Sequence, residues 1–201
     1  RLTGPMGGSI PTVKDLPDGA MVALNGRIVT ATAGQVGAYY VQEPDSCSGI
    51  RVETAGGSAV VGQKVNVVGW LGTNPDGERM VLDGTLTVVG SQAARPAGIN
   101  NSALGGEDSG VMVRGVTGGL GPNNVGLLVR TWGRVTSAAS GEFRLTDGSG
   151  ATLRIDASSV GALPVVGDYV AVTGICRLQK TGSDYAAWVK LRQAGDWART
   201  N

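Results

Sequence analysis

Gly62-Gln-Lys-Val-Asn-Val-Val-Gly69 and Gly167-Asp-Tyr-Val-Ala-Val-Thr-Gly174 share the frame G-x-x-V-x-V-x-G, once in each half of the 201-residue chain. Alternating apolar and polar positions between two glycines predict a half-buried strand, and its recurrence predicts an internal repeat. Working outward, Met21-Val-Ala-Leu-Asn-Gly-Arg-Ile-Val-Thr30 matches Leu128-Val-Arg-Thr-Trp-Gly-Arg-Val-Thr136. Both carry Gly-Arg and a β-branched residue, at Gly26-Arg27-Ile28 and Gly133-Arg134-Val135. A glycine inside a long strand marks a bend or bulge, which lets one strand serve two sides of a small barrel. Tyr39-Tyr40-Val41 matches Phe143-Arg144-Leu145, and each runs into an acidic turn, Glu43-Pro44-Asp45 or Asp147-Gly148. Ile50-Arg51-Val52 then matches Leu153-Arg154-Ile155, and Arg79 to Val89 or Tyr185 to Arg192 closes each unit. Gly26 is expected to superpose on Gly133, and Gly69 on Gly174.

These frames, with the opening Leu16-Pro17-Asp18-Gly19 before the first strand, resemble the OB-fold-like repeats of secreted bacterial proteins over residues 12 to 90 and 125 to 193. Five strands, a bent first strand and a connection after the third make the OB pattern. The expected fold is therefore all-β: two tandem five-stranded OB-like barrels with an extended N-terminal arm and a long interdomain connection. The expected divisions are an arm at 1–11, barrel 1 at 12–90, a connection at 91–124 and barrel 2 at 125–201. Val111 to Val116 reads as a strand added by the connection, since a structureless loop of that length inside a compact chain would be unusual. The places for a helical turn are Ser58 to Val61 and Ser158 to Val166, both too short for a stable helix of their own. The OB family at large binds single-stranded nucleic acid, oligosaccharides or proteins, so the resemblance leaves the ligand open.

Composition narrows the chemistry. The chain has no histidine, so the commonest acid–base group and the commonest metal ligand are both missing. Serine has no imidazole partner for a hydrolytic triad. Glu43 with Asp45, or Glu107 with Asp108, reads as a solvated loop and not as a glycosidase pair. Asp45-Ser46 and Asp147-Gly148-Ser149-Gly150 lack the alternating oxygen ligands of a calcium loop. No catalytic residue, metal site or cofactor is expected, and the chain is not expected to be an enzyme. Seventeen Lys plus Arg against 16 Asp plus Glu leave a net charge of +1, without the basic excess usual for phosphate binders. No apolar run is long enough to span a membrane. Low charge with high Gly, Thr, Ser and Val suits an extracellular or cell-surface protein.

Three sets of residues are singled out. Cys47 and Cys176, one in each repeat, form a candidate disulfide, with two free thiols as the alternative. Leu2, Ile10 and Val13 lie on an arm too poor in apolar residues to make its own core, hence a candidate for exchange onto a neighbouring barrel edge. Tyr39, Tyr40, Arg51, Arg144 and Arg154 are the candidate ligand face, whereas Trp132, Trp188 and Trp197 are expected to pack in cores or between barrels. Two functions follow. The first is a structural or adhesive protein that forms a homo-oligomer or homopolymer, such as a filament, or docks on a surface partner. The second is an OB module for single-stranded nucleic acid or glycan. Exposed aromatics and clustered arginines on the face of strands two and three favour the second function, and a face of Thr, Ser and Val favours the first.

Overall fold

The structure, a computed structural model, describes residues 4–200. After β1 (Met6–Gly7) and the helix α1 (Ile10–Lys14), the first barrel is built from β2 (Met21–Ala31), β3 (Tyr39–Gln42), β4 (Gly49–Gly56), β5 (Gln63–Thr73) and β6 (Arg79–Ser91). Their order is β1-β2-β3-β4-β6-β5, and β5 pairs back onto β2 to close the ring. β4 and β6 run parallel, while the other barrel pairings are antiparallel. The second unit has β8 (Leu128–Ala139), β9 (Glu142–Thr146), β10 (Thr152–Asp156), β11 (Tyr169–Thr181) and β12 (Asp184–Lys190). It repeats the order, with a parallel β10–β12 pair and β11 returning to β8. β7 (Ala97–Gly98) and β13 (Trp197–Arg199) add short strands to β8 and β11. Both halves therefore have the OB strand order.

The repeat is in register at one of its two glycine pairs. Val22 pairs with Gly69 and Val129 with Gly174, but a bulge in β2 between Leu24 and Arg27 then shifts the count by one: Gly133, opposite Val170, matches Arg27, opposite Val65, and Gly26 lies within the bulge, one residue short of the expected superposition on Gly133. The frame glycines serve one purpose: a Cβ at Gly69 would lie 2.6 Å from the Leu82 carbonyl oxygen and from Val81 Cγ1, and one at Gly174 would lie 2.5 Å from the Lys190 oxygen and 2.6 Å from Val189 Cγ1. The closing strand crosses where only a hydrogen fits. Gly69→Ala and Gly174→Ala are each expected to destabilise by about 1–3 kcal/mol through this crowding, read from urea unfolding; a wild-type midpoint for either would contradict the close crossing. The other pair matches neither in place nor in cause. Gly26 sits at a bulge with φ 71°, whereas Gly133 keeps an ordinary φ and is required because β9 passes it, the Thr146 oxygen lying 2.6 Å from where a Cβ would be.

Each barrel has its own apolar core, one including Val22, Leu24, Ile50 and Leu71, the other Phe143, Leu145, Ile155 and Val189. Ile10 and Val13 belong to the first of these. In this structure the arm folds back on its own chain: β1 pairs parallel to β2, α1 turns its Ile10 and Val13 inward, and Glu43 Oε1 accepts a 2.5 Å bond from the Ile10 amide. Ser9 caps the helix by accepting from the Thr12 amide, and Pro11 suits its first turn. Leu2 lies outside the described residues. The other helix, α2 (Ala33–Val36), starts at a Thr32–Gln35 capping box. The two stretches that offered places for a helical turn, 58–61 and 158–166, hold only turns and irregular chain.

The connection also differs from expectation. Val111 to Val116 is not a strand; Ser109 and Val113 make an isolated bridge, and Asp108 pulls the Gly115 amide into a tight loop at 2.8 Å. The added strand is Ala97–Gly98 instead. The barrels meet through Ala31, Val36, Ala38 and Tyr40 from the first and Leu128 and Ile175 from the second. Gly49 and Gly126 touch backbone to backbone, leaving no room for a side chain at either.

Candidate functional site

The expected ligand face divides between the barrels. Tyr40 is completely buried, and its hydroxyl donates to Glu78 Oε1 at 3.0 Å. Burial, followed by the Glu78 charge, pushes that phenol far above its usual range. Arg51 reaches Glu53 at 2.9 Å and Glu78 at 3.7 Å, and Arg177 of the second barrel donates to Glu78 Oε2 at 3.0 Å. The Arg177 guanidinium also lies 5.8 Å from the Tyr40 ring centre and 5.1 Å from that of Trp188. Tyr40 and Arg51 are therefore part of the barrel–barrel joint and face no solvent groove. Tyr39 packs on the first core. Arg154 is tied to Glu142 at 2.8 Å and Gln179 at 3.1 Å, and its guanidinium also lies 5.1 Å from the Trp188 ring centre.

Of the five expected face residues, Arg144 is the one that is exposed and, among the described residues, without an ion pair. Around it the structure gathers residues the face did not include. Alternation along β8 turns Val129, Thr131 and Val135 inward and sends Arg130, Trp132 and Arg134 outward. Tyr169 of β11 stands directly opposite Arg134, and Ala171 opposite Trp132. Arg144 of β9 lies opposite Ser137, on the other side of β8. Trp132 is 55% exposed and Tyr169 53%, which for rings of this size leaves a stacking platform open to water. Contrary to the expectation of core or between-barrel packing, Trp132 is the centre of an outer strip. Trp188 is in the joint, and Trp197 packs on the second core. The signal for the strip was the period of two in Leu128 to Thr136, which fixes one face for Arg130, Trp132 and Arg134.

The arginines on this strip are not neutralised locally. Among the described residues, none of Arg130, Arg134 and Arg144 has an ion-pair partner; the nearby acids are taken, Asp168 by Arg199 at 2.9 Å and Asp156 by Lys190 at 3.0 Å. A balanced chain therefore carries a local basic surface. Such a face can stack planar groups and attract anions, but no nucleophile or acid–base pair stands on it.

The remaining candidates resolve simply. Cys47 and Cys176 are free thiols, Cys47 exposed and Cys176 buried in the second core. A bridge from Cys176, within or between chains, would require opening that barrel. Burial raises the Cys47 thiol to about 11 and Cys176 to about 12, so both are weak nucleophiles at neutral pH. Glu43 is a structural clamp, holding Arg27 at 3.0 Å as well as α1. Asp147 holds the Asn101 amide at 2.8 Å and its own turn through Ser149 at 2.9 Å. Among the described residues no group of three or more Cys, Asp or Glu is placed to hold a metal ion, and no helix is long and apolar enough to cross a membrane. No protein-family model matches the sequence. The search of curated proteins likewise finds no match.

Proposed function

We propose that the protein is a non-catalytic binding module that holds single-stranded nucleic acid on the outer face of its second barrel. The observation that carries this reading is the strip of Arg130, Trp132 and Arg134 beside Tyr169 and Arg144, exposed and without local counter-charges. At about 3.3 Å per strand residue, Arg130 and Arg134 stand roughly 13 Å apart with Trp132 midway. That arrangement suits a base stacked on the indole with phosphates reaching to either side. Three unpaired arginines favour a polyanion over a neutral glycan, whose hydroxyls would leave the guanidinium charges uncompensated. Arm-mediated assembly loses its motive, because Ile10 and Val13 fill their own barrel. An extracellular setting is retained in the proposal on composition alone.

The test is fluorescence anisotropy with a labelled dT oligomer at low salt. Trp132→Ala is expected to weaken binding by about 1–3 kcal/mol, the usual worth of one stacked base. The Arg130→Ala/Arg134→Ala double variant is expected to weaken it and to flatten the log–log salt slope by about 1.4, for two lost phosphate contacts. Wild-type affinity and slope in both variants, or binding of a neutral oligosaccharide in place of the oligomer, would reject the reading.

A further inference from the structure

Lys14, at the end of α1, is 4% exposed. Its ammonium donates to the Val125 carbonyl at 2.8 Å, and no second hydrogen bond from it is made among the described residues. The side chain lines a cavity of about 190 Å³ together with Pro11, Ser48, Ser109, Val113 and Cys47. That is room for several waters. Ser48 is 5% exposed, and its hydroxyl has no hydrogen-bond partner among the described residues. The Ser109 hydroxyl at the rim is likewise unpaired there. One cation with spare donors and two free hydroxyls thus line a half-open space bounded by prolines and a valine.

A second cleft of about 370 Å³ adjoins the first, sharing Cys47, Pro122 and Asn123. Its walls are mainly apolar, including Ala97, Ile99, Ala103 and Leu127. The connection builds it: Ser46 and Gln42 hold the Arg95 carbonyl at 2.8 and 2.9 Å, which lays residues 95 to 103 alongside the β3–β4 turn. Asn124 fixes the opposite wall through the Ala103 carbonyl and the Gly105 amide, both at 2.8 Å. A polar, cationic head cavity therefore continues into an apolar cleft of ordinary small-ligand size.

We propose that this paired cavity binds a linear carboxylic acid of about six to ten carbons, its carboxylate on Lys14 and Ser48 and its alkyl chain passing Cys47 into the cleft of Ile99, Ala103 and Leu127. A single ammonium with two hydroxyls matches a monoanion, where a phosphate dianion would ask for further cationic donors. The desolvation that holds the Lys14 ammonium down at about 8 is relieved by a carboxylate placed beside it, so charge complementarity and apolar burial act together. None of these residues belongs to the arginine–tryptophan strip, and the site stands or falls independently of nucleic-acid binding.

Isothermal titration of the whole chain with octanoate tests the site, with acetate as the head alone and octylamine as the same tail with reversed charge. Octanoate is expected to bind, acetate at least tenfold more weakly, and octylamine not at all. Lys14→Met and Ala103→Trp, which removes the charge or fills the cleft, are each expected to weaken octanoate at least tenfold. In the wild-type protein, saturating octanoate is expected to slow maleimide labelling of Cys47 severalfold, a readout that needs no variant to fold. Equal binding of octylamine, undiminished binding by both variants, or labelling of Cys47 at an unchanged rate would overturn the proposal.

Discussion

Replacing Glu78 by alanine is expected to destabilise the protein by about 3–5 kcal/mol, the usual cost of stripping one partner from a buried ionic cluster. The carboxylate is 1% exposed and serves both barrels. Oε1 accepts from Tyr40, while Oε2 accepts from Arg177 at 3.0 Å and Asn74 at 3.3 Å and faces Arg51 at 3.7 Å. Without it, two guanidinium groups and a phenol at the joint lose their acceptor, and water cannot replace it in a packed interface. Glu78→Gln keeps the shape and one acceptor oxygen, so a smaller loss is expected. Urea unfolding at neutral pH measures both; a loss below about 1 kcal/mol for the alanine variant would show that the joint is held by its apolar contacts alone.

The second large effect concerns Lys14 and depends on pH. Its folded value, lowered by burial to about 8 against an ordinary 10.5, is held up only partly by the charges of Glu78 and Asp15, and Arg79 opposes them. Between those two values the unfolded lysine keeps a proton that the folded one has lost. Raising the pH through this window therefore stabilises the native chain, by about 3 kcal/mol in all, and below about 8 this contribution is absent. Lys14→Met removes the desolvated charge at the loss of one bond to the Val125 carbonyl. The variant is accordingly expected to be at least as stable as wild type at pH 7. Its advantage should shrink by about 3 kcal/mol towards pH 10.5. The thiols, raised to about 11 and about 12, act in the opposite sense above pH 9 but cancel in the difference between the two proteins. A stability difference independent of pH from 7 to 10.5 would contradict the buried charge.

The strand frame was legible because two physical constraints meet in it. Alternation placed β5 and β11, and the close crossing at Gly69 and Gly174 required glycine at the same step of both. What sequence period could not supply was the neighbour outside each barrel. Tyr40 and Arg144 occupy matching places, opposite Arg51 and Arg154, yet one is buried in the joint and the other exposed. Which barrel exterior becomes the joint depends on contacts between distant segments, such as Gly49 against Gly126. Trp132 was misplaced for a different reason: a large ring in a small barrel is expected inside, but its position between Arg130 and Arg134 in a period-two strand puts it outside. The arm's fate was written locally, in Ser9 and Pro11 and the i, i+3 spacing of Ile10 and Val13, signals of a short helix with one apolar edge.

The most direct measurement of the nucleic-acid reading is the indole N–H region of a ¹H–¹⁵N spectrum during titration with a dT oligomer. The chain has four tryptophans, each in a different setting: Trp132 on the strip, Trp188 in the joint, Trp197 on the second core and Trp70 on the first barrel's exterior. The account predicts that the Trp132 resonance shifts progressively and saturates while the other three stay in place. Saturable binding that leaves Trp132 unmoved, or moves Trp70 in its stead, would contradict it.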